Sequence, residues 1–200
     1  MNALTSTAIN NLSTNISNGN QTVHHYQDLI RLFNQTFSEK ENTVLVKGTD
    51  EPIYKPSQKS CQPHQIVFAH GYFASALHEI SHWCIAGTER RLLEDYGYWY
   101  SPDGRDKKQQ SEFEKVEVKP QAIEWIFSCA AGKAFSISVD NLNGETSDPK
   151  QFQDAVTKQV IQYLGSNFPA RAATFIKVLQ DFYQTPFLQQ EMFVGEDCYV

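Results

Sequence analysis

Apolar residues along the chain alternate between helical and strand spacing, and these switches outline its elements. Tyr26, Leu29, Ile30, Phe33 and Phe37 recur every three or four positions, which predicts an amphipathic helix. TVLVKG (43–48) reads as a strand, followed by a loop holding Pro52 and Pro56, and QIVFAH (65–70) reads as a second strand. That strand feeds into FASALHEISHWCIAG, a predicted helix from about Phe73 to Ala86 with Gly87 as its left-handed stop. The stretch DYGYWYSPDGRDKKQQS (95–111) is expected to be a loop with an aromatic entry and a Pro-Asp-Gly turn. FEKVEV (113–118) alternates like a short strand. Pro120 then opens a predicted helix, PQAIEWIFSCAAGKAF, because its missing N–H is harmless in a first turn. FSISVD (135–140) reads as a strand and DNLNGETSDP as an exposed loop, before two amphipathic helices near 149–164 and 169–184. There is no internal repeat. The expected fold class is one α+β domain over residues 23–190, with helices outnumbering strands and the HEISH helix at its centre.

Composition supports a packed domain for most of the chain and a tail at its start. Hydrophobic residues make up 40% and aromatics 12% of the 200 residues, enough for a proper core. Residues 1–22 carry no charged side chain and are rich in Asn, Ser and Thr. Such a segment buries too little apolar surface to offset its ordering entropy and is expected to be a disordered tail; residues 191–200 are expected to be a C-terminal tail. The formal net charge of −6 argues against nucleic acid and suits a cationic partner. No apolar run approaches the roughly 18 residues of a membrane span, and the N-terminus lacks the basic flank and apolar block of a secretion signal. The scattered Cys61, Cys84, Cys129 and Cys198 read as reduced thiols of a cytoplasmic protein.

Candidate chemistry centres on HEISH (78–82). On a helix, residues four apart share a face, so His78 and His82 can offer two imidazole nitrogens to one ion. Glu79 lies about 100° further round the axis. It cannot join that pair directly, and in zinc peptidases this glutamate acts on a metal-bound water as general base. Leu77, Ile80, Trp83 and Ile85 mark a largely buried helix, in which unpartnered imidazoles would be costly.

Two histidines do not complete a site. A third histidine six residues after His82 is ruled out, because Thr88 stands there and no histidine follows His82. A downstream carboxylate is the natural choice, and Glu124 stands out as the one charged residue between Lys119 and Lys133, on an otherwise apolar stripe. A lone carboxylate on a buried face needs a cation, which a metal supplies. His70, Glu94 and Glu117 stand behind Glu124 as candidates.

Other residues carry less. His24, His25 and His64 are expected to be solvated, and His70 to be a hydrogen-bonded core histidine. Tyr96, Tyr98, Trp99 and Tyr100 suit either a substrate pocket or simple packing. Asp103, Arg105 and Asp106 suit a charged substrate or an ordinary turn, and Arg90 and Arg91 a basic surface. No substrate-binding residue is assigned.

The set His78, His82 and Glu124 fits two chemistries. With zinc and Glu79 as base it would be a metallopeptidase; with iron(II) it would be a facial triad open to dioxygen and substrate. A non-catalytic module retaining a structural metal is a third reading. The runs IVFAHGYFASALHEISHWCIAG, DYGYWYSPDGRD and VEVKPQAIEWIFSCAAG closely resemble the bacterial elongation factor P hydroxylase family over most of residues 24–190. The resemblance implies a zincin-like framework around a divalent metal, Fe(II) with Zn(II) as the other option, and dioxygen as co-substrate. It implies as partner a translation elongation factor P whose lysine carries a β-lysyl group, and hydroxylation of that modified side chain. His78 and His82 match the family motif, Glu124 lies in its matching segment, and Glu79 becomes a candidate catalytic residue of open role.

Overall fold

The structure is a computed structural model and describes residues 23–59, 61–95, 104–138 and 149–193. Helix α1 (Tyr26–Phe37) buries Leu29, Phe33 and Phe37 of the expected stripe together with Leu32, and leaves Tyr26 and Ile30 half-buried. Strands β1 (Thr43–Lys47), β2 (Ile53–Lys55) and β3 (His64–Phe68) form a three-stranded sheet in the order β1-β3-β2. β3 pairs parallel with β1, from Thr43 opposite His64 to Lys47 opposite Phe68, and antiparallel with β2. The central strand therefore leads directly to the helix that carries HEISH. His70 (φ 51°) and Gly71 (φ 82°) turn the chain between them, a left-handed pair that glycine eases.

Helix α2 (Phe73–Ile85) holds HEISH as the spacing predicts. Its end differs from expectation, because Gly87 is not among the positive-φ residues and Ala86 leaves the helix in an extended conformation. Arg171 explains the difference. Its Nη2 donates to the carbonyls of Ala86 (2.6 Å), Trp83 (2.8 Å) and Cys84 (3.3 Å), satisfying carbonyls that a left-handed turn would otherwise cap.

The largest departure is helix α3, Lys107–Ala130, which replaces both the strand expected at 113–118 and the helix start expected at Pro120. Asp106 opens it with a capping box: its carboxylate accepts from the Gln109 N–H at 2.8 Å, and the Gln109 side chain accepts from the Asp106 N–H at 3.0 Å. Gln110, Phe113, Glu117, Gln121 and Glu124 are buried along one helical stripe. Pro120 sits within the helix and forgoes one backbone bond there, a loss outweighed by packing against α2, α4 and α5. Residues 135–138 are not a strand. Ser138 is tied instead to the Gln121 side chain, which donates to its carbonyl at 2.6 Å and accepts from its N–H at 3.1 Å. Positions 139–140 lie outside the described residues.

Helices α4 (Pro149–Leu164) and α5 (Ala170–Tyr183) close the domain where expected. The core joins α1, α2 and α5 through edge-on aromatic contacts, with Trp83 5.0 Å from Phe33 and 4.9 Å from Phe37, and Phe33 5.8 Å from Phe175. Packing continues into a short turn at Gln190–Phe193, whose Phe193 is buried 5.2 Å from Trp125. The fold is one α+β domain. The tail expected at 1–22 lies outside the described residues.

Candidate metal centre

Helices α2 and α3 pack side by side and bring five titratable side chains to one place. His78 and His82, four residues apart, turn their Nε2 atoms to within 3.1 Å of each other. Glu117 faces both, with Oε1 3.2 Å from His82 Nε2 and Oε2 3.6 Å from His78 Nε2. Donor atoms of these three residues all lie within 4.8 Å of one another.

Glu124 takes a different place. Its Oε2 accepts a hydrogen bond from His78 Nδ1 at 2.8 Å, on the ring edge opposite the cluster. Helical geometry accounts for the division, since two turns, about 10.5 Å, separate Glu117 from Glu124 along α3. One carboxylate therefore reaches Nε2 and the other Nδ1. The expected set of His78, His82 and Glu124 is brought together, but the position facing both imidazole nitrogens belongs to Glu117. The stripe Phe113, Glu117, Gln121, Glu124 is the sequence signal that would have favoured it, hidden by the strand-like alternation of 113–118.

The donors fit a divalent ion. Metal–ligand bonds near 2.1 Å, opened between a right angle and a tetrahedral one, place neighbouring donors about 3.0–3.4 Å apart. Two of the three separations, 3.1 and 3.2 Å, fall in this range, and the third, 3.6 Å between Glu117 and His78, lies just beyond it. Two imidazoles and one carboxylate suit zinc and iron(II) alike. Glu124 holding the proton on Nδ1 leaves the His78 Nε2 lone pair free to bind, the usual work of an outer carboxylate on a metal histidine.

Electrostatics binds the cluster together. Burial alone would lower the His78 pKa, but the hydrogen bond and charge of Glu124, with the charges of Glu117 and Glu79, push it up to about 10. Burial acts upward on Glu117, yet the charge and hydrogen bond of His82, the charge of His78 and a hydrogen bond from Gln121 hold it down to about 2. Burial raises the Glu79 pKa, the two imidazoles partly opposing this and the neighbouring carboxylates adding to it.

A pH dependence follows. The His78 contribution to stability is complete below its ordinary 6.5 and is lost as pH rises through about 10. That of Glu117 is complete above 4.5 and is lost as pH falls through about 2. A bound cation requires neutral imidazole, so it displaces a proton. Metal-depleted protein is expected to melt highest between about pH 4.5 and 6.5, and the increment from added metal to grow above that window. Melting curves with chelator and with excess metal check this, and an increment independent of pH between about 6 and 9 would refute it.

Beside the cluster lies a cleft of about 260 Å³. Glu79 and His82 line it together with Ile66, Trp83, Val116 and Pro120.

Several other candidates lie elsewhere. His70 is exposed at the turn before α2, its ring 5.8 Å from Tyr72, not in the core, and Glu94 is exposed. His24 is half-buried rather than solvated and donates from Nε2 to the Ala131 carbonyl at 2.8 Å. His64 lies in β3, accepts from the Ser57 N–H at 3.0 Å and stacks on Tyr54. Arg105 is fully buried, its guanidinium 3.8 Å from the centre of the Phe113 ring and its Nε donating to Gln110 at 2.9 Å, so it serves packing. Arg90 pairs with Asp95, and Arg91 with Glu41. Tyr96, Tyr98, Trp99, Tyr100 and Asp103 lie outside the described residues. Cys61, Cys84 and Cys129 are reduced thiols. Among the described residues no helix is long and apolar enough to cross a membrane.

Two histidines from one helix and a carboxylate from its neighbour, on an α+β domain with an adjoining cleft, define a candidate metalloenzyme. Residues 32–193 match the model of the elongation factor P hydroxylase family. The chain is also 54% identical over 162 residues, 81% of its own length and 91% of the relative's, to the elongation factor P lysine hydroxylase of Haemophilus influenzae. The protein belongs to the elongation factor P hydroxylase family.

Proposed function

We propose that the protein is a cytoplasmic, oxygen-dependent hydroxylase that adds one oxygen atom to the lysine side chain of elongation factor P once that lysine carries a β-lysyl group. The observation carrying this reading is the convergence of His78, His82 and Glu117 beside an open cleft, in a chain of this family. These three residues would hold a divalent metal, with iron(II) the natural choice for oxygen chemistry. When bound, iron would supply the activation of dioxygen needed to hydroxylate an unreactive carbon. One oxygen atom enters substrate and the other leaves as water, so two electrons and two protons come from an external donor.

The chain's own residues supply orientation and shielding. Glu124 keeps the proton on His78 Nδ1 and fixes the plane of that ring. Glu117, only 2% exposed, presents its carboxylate from a rigid helix rather than a loop. Ile66, Trp83, Val116 and Pro120 give the cleft apolar walls suited to a methylene chain.

The test is mass spectrometry of β-lysylated elongation factor P incubated aerobically with the iron-supplemented protein. One added oxygen is the expected result. No mass gain, alongside cleavage of generic peptides, would replace this reading with the hydrolytic one, in which Glu79 would act as general base.

A further inference from the structure

Among the described residues that line the cleft, Arg90, Arg91 and His82 each face a carboxylate, whereas Glu79 forms no ion pair. Arg90 Nη2 lies 2.6 Å from Asp95 Oδ2, and Arg91 Nη1 lies 2.9 Å from Glu41 Oε2. His82, also on the cleft wall, faces Glu117, and His78 behind it is bonded to Glu124. Glu79 is half-buried on the same wall, and its carboxylate makes no side-chain hydrogen bond or salt bridge with the described residues. It lies about 100° round α2 from His78 and lines the cleft, close enough to the donor cluster to feel the charges of His78, His82, Glu117 and Glu124. A partly desolvated carboxylate is costly unless a cation or hydrogen-bond donors meet it. Ile66, Trp83, Val116 and Pro120 line the same cleft as this carboxylate. Methylenes ending in a charged nitrogen match both features, the stem against the walls and the head on the carboxylate.

From this we infer that Glu79 is the cation receptor of the cleft, binding an ammonium group of the β-lysylated side chain. The inference rests on the hydroxylase reading for the identity of the ligand. It assigns Glu79 a substrate-binding task in place of the proton transfer that the same position performs in peptidases. Arg90 and Arg91, already paired with carboxylates, frame the cleft without competing for the amine.

Calorimetry on the iron-loaded protein under anaerobic conditions tests this, since binding is then read without turnover. Two ligands are compared, β-lysylated elongation factor P and the same protein with its amines acetylated. Wild type is expected to bind the amine form at least roughly tenfold more tightly, the scale of a charge-assisted hydrogen bond in a partly desolvated site. Glu79→Gln is expected to lose that preference, while Glu79→Asp keeps part of it. Iron content measured on each variant separates this role from a metal-orienting one. In aerobic kinetics the Glu79→Gln deficit should appear chiefly in KM. Equal affinity of wild type for both ligands, an unchanged preference in Glu79→Gln, loss of its iron, or loss of kcat with unchanged KM would each overturn the inference. A wild type that prefers the amine but adds no oxygen would sink the hydroxylase reading alone. Hydroxylation with a normal preference in Glu79→Gln would sink this inference alone.

Discussion

Glu117→Gln is expected to strip the protein of its metal, whereas Glu124→Gln weakens metal binding without abolishing it. The two carboxylates sit on one helix and touch the same histidine, so chemistry at a distance does not separate them; geometry does. Glu117 faces both Nε2 atoms, at 3.2 and 3.6 Å, and its loss would leave two candidate ligands in place of three. Glu124 reaches only Nδ1 of His78, and loss of such an outer partner lowers affinity roughly 10–100-fold. The expected readout is metal per chain after dialysis against graded chelator. Glu117→Gln should come through empty at a chelator strength that Glu124→Gln survives, and hydroxylation should follow the same order. Retention by Glu117→Gln with loss from Glu124→Gln would make Glu124 the ligand.

The second large effect falls on a residue remote from the donors. Arg171→Ala should destabilise the protein by about 3 kcal/mol, because hydrogen bonds to a charged group contribute roughly 1.5–3 kcal/mol and a cation at a helix C-terminus adds a fraction more. For a chain of this size that corresponds to a melting temperature lower by roughly 6–12 °C. Arg171 donates to three carbonyls at the end of α2 and lies 4.6 Å from the centre of the Trp83 ring. Its removal uncaps the helix that carries both imidazoles and opens a gap against a core tryptophan. Arg171→Lys should recover only part of the loss, since an ammonium lacks the planar fork that spans several acceptors. Thermal melts of the three proteins decide the matter, and an unchanged midpoint in Arg171→Ala would show the cap to be idle.

Much of the scaffold was legible because its apolar spacing is unambiguous. Tyr26, Leu29, Ile30, Phe33 and Phe37 fit a helix and no strand, and the bounds of α2, α4 and α5 follow the same logic. Helix α3 was hidden for a physical reason. Its buried stripe is mostly polar, with Gln110, Glu117, Gln121 and Glu124 beside Phe113, so hydrophobicity alone loses the period. Phe113, Val116 and Val118 then imitate a strand, and Pro120 imitates a beginning. The capping pair Asp106 and Gln109, an acid followed three residues later by a glutamine, was the readable sign of a start further upstream. Strand β2 was overlooked because three residues between Pro52 and Pro56 are too few for periodicity to register. At the site, the two histidines were fixed by local spacing. The choice between Glu117 and Glu124 was not, because it depends on how α3 slides against α2, a tertiary quantity no local pattern encodes.

Both carboxylates belong to α3 and both imidazoles to α2, and the bond between His78 and Glu124 spans 46 positions of chain. Contacts that distant form only after the intervening chain has surrendered its loop entropy, later than either helix. On its own α2 offers a cation two nitrogens and nothing more, so capture of the ion waits on tertiary assembly. A captured ion would tie remote stretches of the chain as a cross-link does, favouring the assembled state by mass action. Scarcity of metal would then shorten the lifetime of the protein as well as idle it, coupling its abundance to the supply of the ion it works with.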